Sequence, residues 1–584
     1  MDDVRKFFRY FKPYKWNIAL GVLCILGGMM FNLLVPYLIG LTIDQLSQGI
    51  TRNKVILYPL LILGVSLIGA VFLYFQRRLL IDASRNIEYD MRREFYDALI
   101  DQPLEYFQDN RVGDLMARAT NDLGAVRQLV GPMILYTFQA VFALAVVLPI
   151  MFSISSKLTF YLLIPLPFVS LTVKYLGQQI HVRFEKIQEF FSDITARAQE
   201  NLSGVRVIRA YSQESFEIKE FENLNRQYAV KNIALVKFGA AMRPLLFFLI
   251  GLSFVIIVAV GVPMAVRGEI TAGQFTSFML YLQRMIWYLI ALGYVVNLYQ
   301  RGTASLKRFD AVLDTIPTIR DADGVTTQPK IKGKIEFRNL NFSYGETRVL
   351  KDISLVISPG ETVAFVGKTG SGKSTLVSLI PRLLESENTY VDDKSVNEFP
   401  LKQLRRAIGF VQQETFLFSD TVADNIAFGV SDEDLKDPNK QTLSIEKAAE
   451  IAGLSEDIRE FPNGYNQLVG ERGITLSGGQ KQRTAIARAV MRNPRILILD
   501  DSLSAVDTLT EERILGGLRN IRTNRTTLLV SHRVSTIKDA DLICVLHDGL
   551  IKERGTHEEL LRLDGEYADL YRRQLLEEEI ELTD

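Results

Sequence analysis

A chain of 584 residues with 67 basic and 67 acidic side chains, and hence no formal net charge, is too long for one compact core and has no global basic field that would suit nucleic acid. Its two cysteines, Cys24 and Cys544, supply neither a disulfide framework nor a zinc site. The apolar residues concentrate in the first half, in long uncharged runs.

The N-terminus is basic, with Arg5, Lys6, Arg9, Lys12 and Lys15, but the apolar run behind it is too long for the core of a cleavable signal. Six apolar segments follow, at 16–43, 55–75, 129–152, 158–173, 244–266 and 275–298. A helix needs about 20 apolar residues to cross the hydrocarbon core. Five segments meet that length, and the fourth reaches it by extending through Lys174, whose ammonium snorkels to the interface. Buried helices of a soluble protein are the competing explanation, but the first three segments hold no charged residue at all. Segments two and three, and four and five, are separated by long stretches at 76–128 and 174–243, both rich in Arg and Lys. The positive-inside rule puts these stretches and the N-terminus in the cytoplasm, and with six crossings the C-terminal half as well.

Ile87, Met91, Phe95 and Leu99 recur every four residues in the first stretch, which predicts a helical ridge. A turn-forming cluster at 109–113 and a second break near 210–217 predict two helical hairpins reaching beyond the membrane. Arg284 lies within the sixth segment beside Tyr281, Met285, Trp287 and Tyr288. It is read either as a substrate or gate contact or as half of a charge pair within or between helices.

Residues 314–334 carry Pro317, Asp321, Asp323, Gly324 and Pro329 and read as a linker between a membrane domain at 1–313 and a soluble domain at 335–584. Strands are predicted at 334–344, 349–357 and 362–366. The last runs into Gly367-Lys368-Thr369-Gly370-Ser371-Gly372-Lys373-Ser374, a G-x-x-x-x-G-K-[ST] phosphate loop between strand and helix. Its backbone N–H groups and the following helix N-terminus suit phosphate. Lys373 offers a charge to the β/γ-phosphates, and Ser374 offers a hydroxyl to Mg²⁺. An apolar strand at 495–499 ends in Asp500, the expected second Mg²⁺ element.

Leu476-Ser477-Gly478-Gly479-Gln480 lies between these two elements and precedes a helical stretch at 481–491. In that order it resembles the signature of ABC (ATP-binding cassette) ATPases, and Ser-Gly-Gly at a helix N-terminus is physically a second anion site. Six membrane segments, two long hairpins and a cassette on one chain resemble an ABC exporter half-transporter. The fold so implied is multi-domain, an N-terminal all-α six-helix transmembrane domain joined to a C-terminal α/β P-loop NTPase.

The resemblance implies further roles. Tyr344 would stack on adenine, and Thr375 and residues 477–480 would join the phosphate loop in binding ATP. Gln413, beside Gln412, would touch Mg²⁺. Ser504-Ala505-Val506-Asp507 would form the loop that crosses between two cassettes, His532 would contact the γ-phosphate, and Glu471 would contact the hairpins. ATP and Mg²⁺ are the implied cofactors. The implied partners are a second half-transporter, the lipid bilayer and a small hydrophobic or amphipathic substrate, with no nucleic acid. The implied location is the cell membrane, with cassette and N-terminus cytoplasmic.

Two departures stand out. Where the family carries a glutamate that activates the attacking water, this chain has Asp501. Because the family's cassettes pair head to tail, a weakened own site beside an intact signature favours a heterodimer over a homodimer with two slow sites. At 383–393 the chain lacks the glycine turn usual in the family and is slightly short. The other readings are a homodimeric lipid or peptide exporter and a nucleotide-gated channel or regulator. A peptide exporter with a leader-peptidase domain is not expected, since the first segment begins at residue 16. The acidic stretch at 577–584 is expected to be a solvated end.

Overall fold

The computed structural model describes residues 7–49, 51–322, 324–430, 444–506, 508–521 and 525–581. Asp507 and residues 582–584 lie outside these. The chain divides into two compact units, one of Met1–Asp97 with Gly113–Asp314, the other of Ala98–Val112 with Thr315–Asp584.

The first unit is helical. Five helices among the described residues are long and apolar enough to cross a membrane. They are α1 (Lys15–Ser47), α2 (Arg52–Ile100), α4 (Val112–Ile154), α8 (Glu214–Val266) and α9 (Ala272–Leu313). Between α2 and α4 lies the short α3 (Leu104–Asp109), which belongs to the second unit. The fourth apolar segment departs from a single straight helix. It is split into α5 (Ser156–Leu163) and α6 (Leu166–Ser203). Pro165 has no N–H for the carbonyl of Tyr161, so the ladder breaks there; the N–H of Ile164 turns to that carbonyl instead, at 3.3 Å. The helix α6 then continues through Lys174 into the long stretch beyond.

The predicted ridge is present, with Ile87, Met91 and Phe95 buried and Phe95 stacked on Phe309 of α9 at 4.9 Å. The first hairpin turns at 101–103 and again at 110–111, either side of α3. The second turns through α7 (Val205–Ala210) and residues 211–213, where Ser212 takes φ 53°. Arg197 Nη2 of α6 donates to both carboxylate oxygens of Glu217 of α8 at 2.8 and 2.7 Å, clasping the two arms across that turn.

The second unit is α/β. Its strands are β1 (Ile335–Tyr344), β2 (Thr347–Ile357), β3 (Thr362–Val366), β4 (Thr389–Val391), β5 (Lys394–Ser395), β6 (Ile408–Val411), β7 (Ile496–Asp500), β8 (Thr526–Val530), β9 (Leu542–His547) and β10 (Leu550–Gly555). They form a four-stranded sheet, β2-β1-β4-β5, and a six-stranded sheet, β10-β9-β3-β8-β7-β6. All neighbours from β9 to β6 are parallel. Every residue of β3, β7 and β8 is buried, as a parallel sheet covered on both faces requires. Alternation splits their side chains between two cores, one holding Ala364, Leu497 and Leu529, the other Phe365, Ile498 and Leu528.

The glycine absent near 383–393 has a local substitute. β4 and β5 pair Val391 with Lys394 around a two-residue turn, and Asp392 and Asp393 both adopt positive φ, 49° and 66°. That is the turn that favours Asn-Gly or Asp-Gly. Aspartate tolerates it, and the Asp392 carboxylate gains N–H donors from Lys332, Gly333 and Lys334 at 2.6, 3.1 and 2.9 Å.

Candidate nucleotide site

The strand order brings the motif residues together. β8 lies between β3 and β7, and Val530 is in register with Phe365 on one side and Asp500 on the other. Because the strands run parallel, their C-terminal ends share one edge, where ligands bind in open α/β sheets. The phosphate loop leaves β3 there, Asp500 ends β7 with Asp501 just beyond it, His532 follows β8, and Gln412 and Gln413 follow β6. The N–H of Asp501 donates to Val530 O at 2.8 Å, locking two of these ends together.

Gly372 caps α10 (Lys373–Leu379) with φ 98°, and a Cβ there would come within 2.7 Å of Leu350 Cδ2; only glycine meets both conditions. Lys368, Thr369 and Gly370 form the exposed tip, while Ser371 is buried and Thr375 half-buried. The Lys373 ammonium donates to the carbonyls of Gly367 and Lys368, each at 2.8 Å. Burial pulls its pKa down, against the upward pull of Asp501 and Asp500. The Ser374 hydroxyl donates to Asp500 Oδ1 at 2.9 Å. Asp500 is 4% exposed, and burial pushes its carboxyl above the usual range; Asp501 adds to the shift, and the Ser374 bond and Lys373 oppose it. A buried carboxylate beside a hydroxyl is an oxygen-only donor set of the kind a hard divalent cation takes.

Asp501 itself adopts φ 46°, and its Oδ1 lies 2.9 Å from His532 Nδ1. With Nδ1 turned to the carboxylate, Nε2 is the ring nitrogen left to face a ligand. The other sequence candidates lie farther out. Gln413 is exposed, as is Tyr344 at the end of β1, where it meets Phe342 edge-on at 5.0 Å. Glu471 is exposed and opens the single turn Glu471–Gly473.

Ser477 caps α11 (Gly478–Met491) through a reciprocal box with Gln480. No hydrogen bond among the described residues joins 477–480 to the phosphate loop; the Gln480 side chain instead donates to Asp457 at 3.0 Å. A Cβ on Gly479 would lie 3.0 Å from Ala505 O, so the signature glycine lets the 504–506 loop approach.

That loop is held by residues to which the sequence reading gave no role. Gln482, buried on α11, donates to Ser504 Oγ at 3.1 Å and accepts from Ala505 N at 3.0 Å. Ser504 Oγ in turn donates to Asp501 O at 2.9 Å. Arg533 donates to the carbonyls of Ser504 and Val506 at 3.1 and 3.3 Å. A glutamine on a helix face otherwise buried was the one available signal. Gln482→Leu is expected to destabilise the fold by about 0.5–1.5 kcal/mol, since it removes the side-chain bonds to Ser504 and Ala505. Thermal unfolding together with hydrogen exchange at 504–506 would check this, and unchanged protection there would refute it.

A phosphate loop, a buried carboxylate paired with a hydroxyl, and a histidine at one sheet edge, on a chain that also holds membrane-length helices, define a P-loop ATPase built into a membrane protein. The chain belongs to the ABC transporter family: residues 18–289 match the ABC transporter transmembrane region, and 350–504 match the family described as ABC transporter. It is 37% identical to the probable multidrug resistance ABC transporter ATP-binding/permease protein YheI of Bacillus subtilis (strain 168), over 98% of each chain. It is 36% identical to the multidrug resistance-like ATP-binding protein MdlA of Escherichia coli (strain K12), over 97% of this chain and 96% of that one. A bacterial Atm1-family ABC exporter solved with ATP bound superposes with a TM-score of 0.78 at 25% identity, covering 96% of this chain and 98% of the other. The chain is thus an ATP-binding membrane protein whose cassette is an ATPase coupled to export.

Proposed function

We propose that this chain is one subunit of a heterodimeric exporter that moves a hydrophobic or amphipathic substrate, a drug or a lipid, out of the cytoplasm. The names of its relatives YheI and MdlA support that substrate class. In this reading residues 1–313 form the membrane domain, 314–334 the linker and 335–584 the cassette. The N-terminus and cassette face the cytoplasm across the cell membrane.

Lys373 and the backbone of residues 367–375 hold the ATP phosphates, and Tyr344 stacks on the base. Ser374, Asp500 and Gln413 would hold Mg²⁺, which supplies charge neutralisation of the phosphates when bound. His532 contacts the γ-phosphate. Residues 477–480 complete the site of the partner, and Glu471 and the 504–507 loop transmit between subunits and hairpins. ATP drives the cycle because it binds the closed, outward-turned state better than the open one.

The observation that carries the reading is the pairing of Asp501 with His532 at 2.9 Å: the residue that would activate water is a short carboxylate already engaged by its neighbour. This chain's own site then binds ATP and hydrolyses it slowly, while the partner's site turns over. The test is co-purification from a host carrying this gene and its neighbours, followed by ATP-driven uptake into inverted vesicles. The expected result is a mixed dimer whose uptake stops when the partner's glutamate is neutralised and persists in Asp501→Asn. A homodimer with full uptake would overturn the heterodimer, and an ATP-dependent ion current without uptake would overturn export.

A further inference from the structure

We infer that Gln574 is a positioning residue for His532, and that it sets how strongly this nucleotide site prefers ATP over ADP. The inference rests on the proposed reading of His532 as the γ-phosphate contact.

The His532 side chain is 56% exposed, so packing alone does little to fix it. Its neighbours turn away from it. Ser531 is buried, and its hydroxyl meets Thr536 Oγ1 at 3.3 Å and accepts from Arg533 N at 3.0 Å. Arg533 extends toward Ser504 and Val506. Among the described residues, the histidine's own backbone is held by a side-chain amide from far along the chain. Gln574 Nε2 donates to His532 O at 2.5 Å, and Gln574 Oε1 accepts from Val534 N at 2.8 Å. An amide offers both a donor and an acceptor, so one group pins both ends of this short turn. On the ring side, Asp501 Oδ1 takes Nδ1 at 2.9 Å. Backbone and ring are therefore fixed by different residues.

The arm that carries Gln574 is itself anchored. It lies on α12 (Glu566–Glu581), whose first N–H groups, of Glu566 and Tyr567, donate to the Glu553 carboxylate at 2.6 and 3.2 Å. Tyr567 is fully buried, and its hydroxyl lies 2.7 Å from His557 Nδ1. Gln574 stands seven residues beyond Tyr567, about two helical turns, and so on the same face. The buried tyrosine fixes the helix, and the helix delivers the amide to the turn that bears the histidine.

The test uses the purified full transporter and photolabelling of this chain by 8-azido-ATP, competed with Mg·ATP or Mg·ADP. Labelling read on this chain reports its own phosphate-loop site. Gln574→Leu removes both hydrogen bonds and is expected to weaken competition by ATP about tenfold, leaving ADP within about twofold. His532→Ala is expected to lose the same preference, and the double variant to lose no more. Equal weakening toward ATP and ADP in Gln574→Leu would show a merely structural role and overturn the inference. Loss of the preference in His532→Ala but not in Gln574→Leu would overturn it while sparing the histidine. An unchanged preference in His532→Ala would overturn the reading of the histidine and this inference with it.

Discussion

Asp501→Glu is expected to raise ATP turnover at this chain's own site about 10²-fold, the order that a positioned general base contributes. The backbone at this position is fixed. The Asp501 N–H is tied to Val530 O at 2.8 Å, and its carbonyl accepts from Ser504 Oγ at 2.9 Å. Reach toward a water is then set by side-chain length alone, and one methylene adds about 1.5 Å. A base must come within about 3.2 Å of the group whose proton it takes, so a deficit of that size decides whether it works. A 10²-fold gain corresponds to about 2.7 kcal/mol of barrier, well above the effect of the exposed contacts nearby. Asp501→Asn should change turnover by less than about twofold on the same reasoning. Single-turnover hydrolysis by this chain, with the partner's site disabled, measures both. Turnover that collapses in Asp501→Asn and does not rise in Asp501→Glu would mean that aspartate is already a competent base.

The parts of this molecule legible in sequence are those whose signal is local. β3 occupies Thr362–Val366 as expected because a segment with four strand-forming residues in five runs directly into a loop whose glycines can do little else. The ridge of Ile87, Met91 and Phe95 is likewise set by spacing within one helix. The break at Pro165 was within reach, since a proline inside an apolar segment removes a donor wherever it falls. The left-handed pair Asp392 and Asp393 was not, because its stability comes from donors on Lys332, Gly333 and Lys334, more than 55 positions away. The same holds for the site. The phosphate loop and Asp500 follow from motif and strand end. Gln482, Arg533 and Gln574 act across 22 to 42 positions of sequence separation, and nothing in their own neighbourhoods announces the partner.

Arg284 is the clearest case of a residue whose meaning appears only in three dimensions. The sequence left open a substrate contact or a charge pair; its partner within the membrane unit is neutral. Arg284 Nη1 donates to Asn32 O of α1 at 2.6 Å and also to Asn32 Oδ1. In a helix the carbonyl of residue 32 would accept from the N–H of residue 36. That residue is Pro36, which has none. Arg284 therefore supplies the donor that Pro36 withholds, where an unpaired carbonyl would be costly in hydrocarbon. It is the last rung of a ladder along one face of α9. Gly273 N donates to Asp44 Oδ1 at 2.7 Å, Ser277 Oγ to Pro36 O at 2.9 Å, and Tyr281 OH to Leu33 O at 2.9 Å.

Arg284→Leu is expected to destabilise the membrane unit by about 1.5–3 kcal/mol, the worth of a hydrogen bond from a charged donor. In a Pro36→Ala background the new N–H of residue 36 can take up the carbonyl, and the cost of the same substitution should shrink by about 1 kcal/mol. Packing lost with the proline ring is common to both arms of the cycle and cancels. Thermal unfolding of the four proteins in lipid nanodiscs measures the coupling. Additive effects would mean that Arg284 serves Asn32 Oδ1 or another ligand, and that the Asn32 carbonyl finds its donor elsewhere.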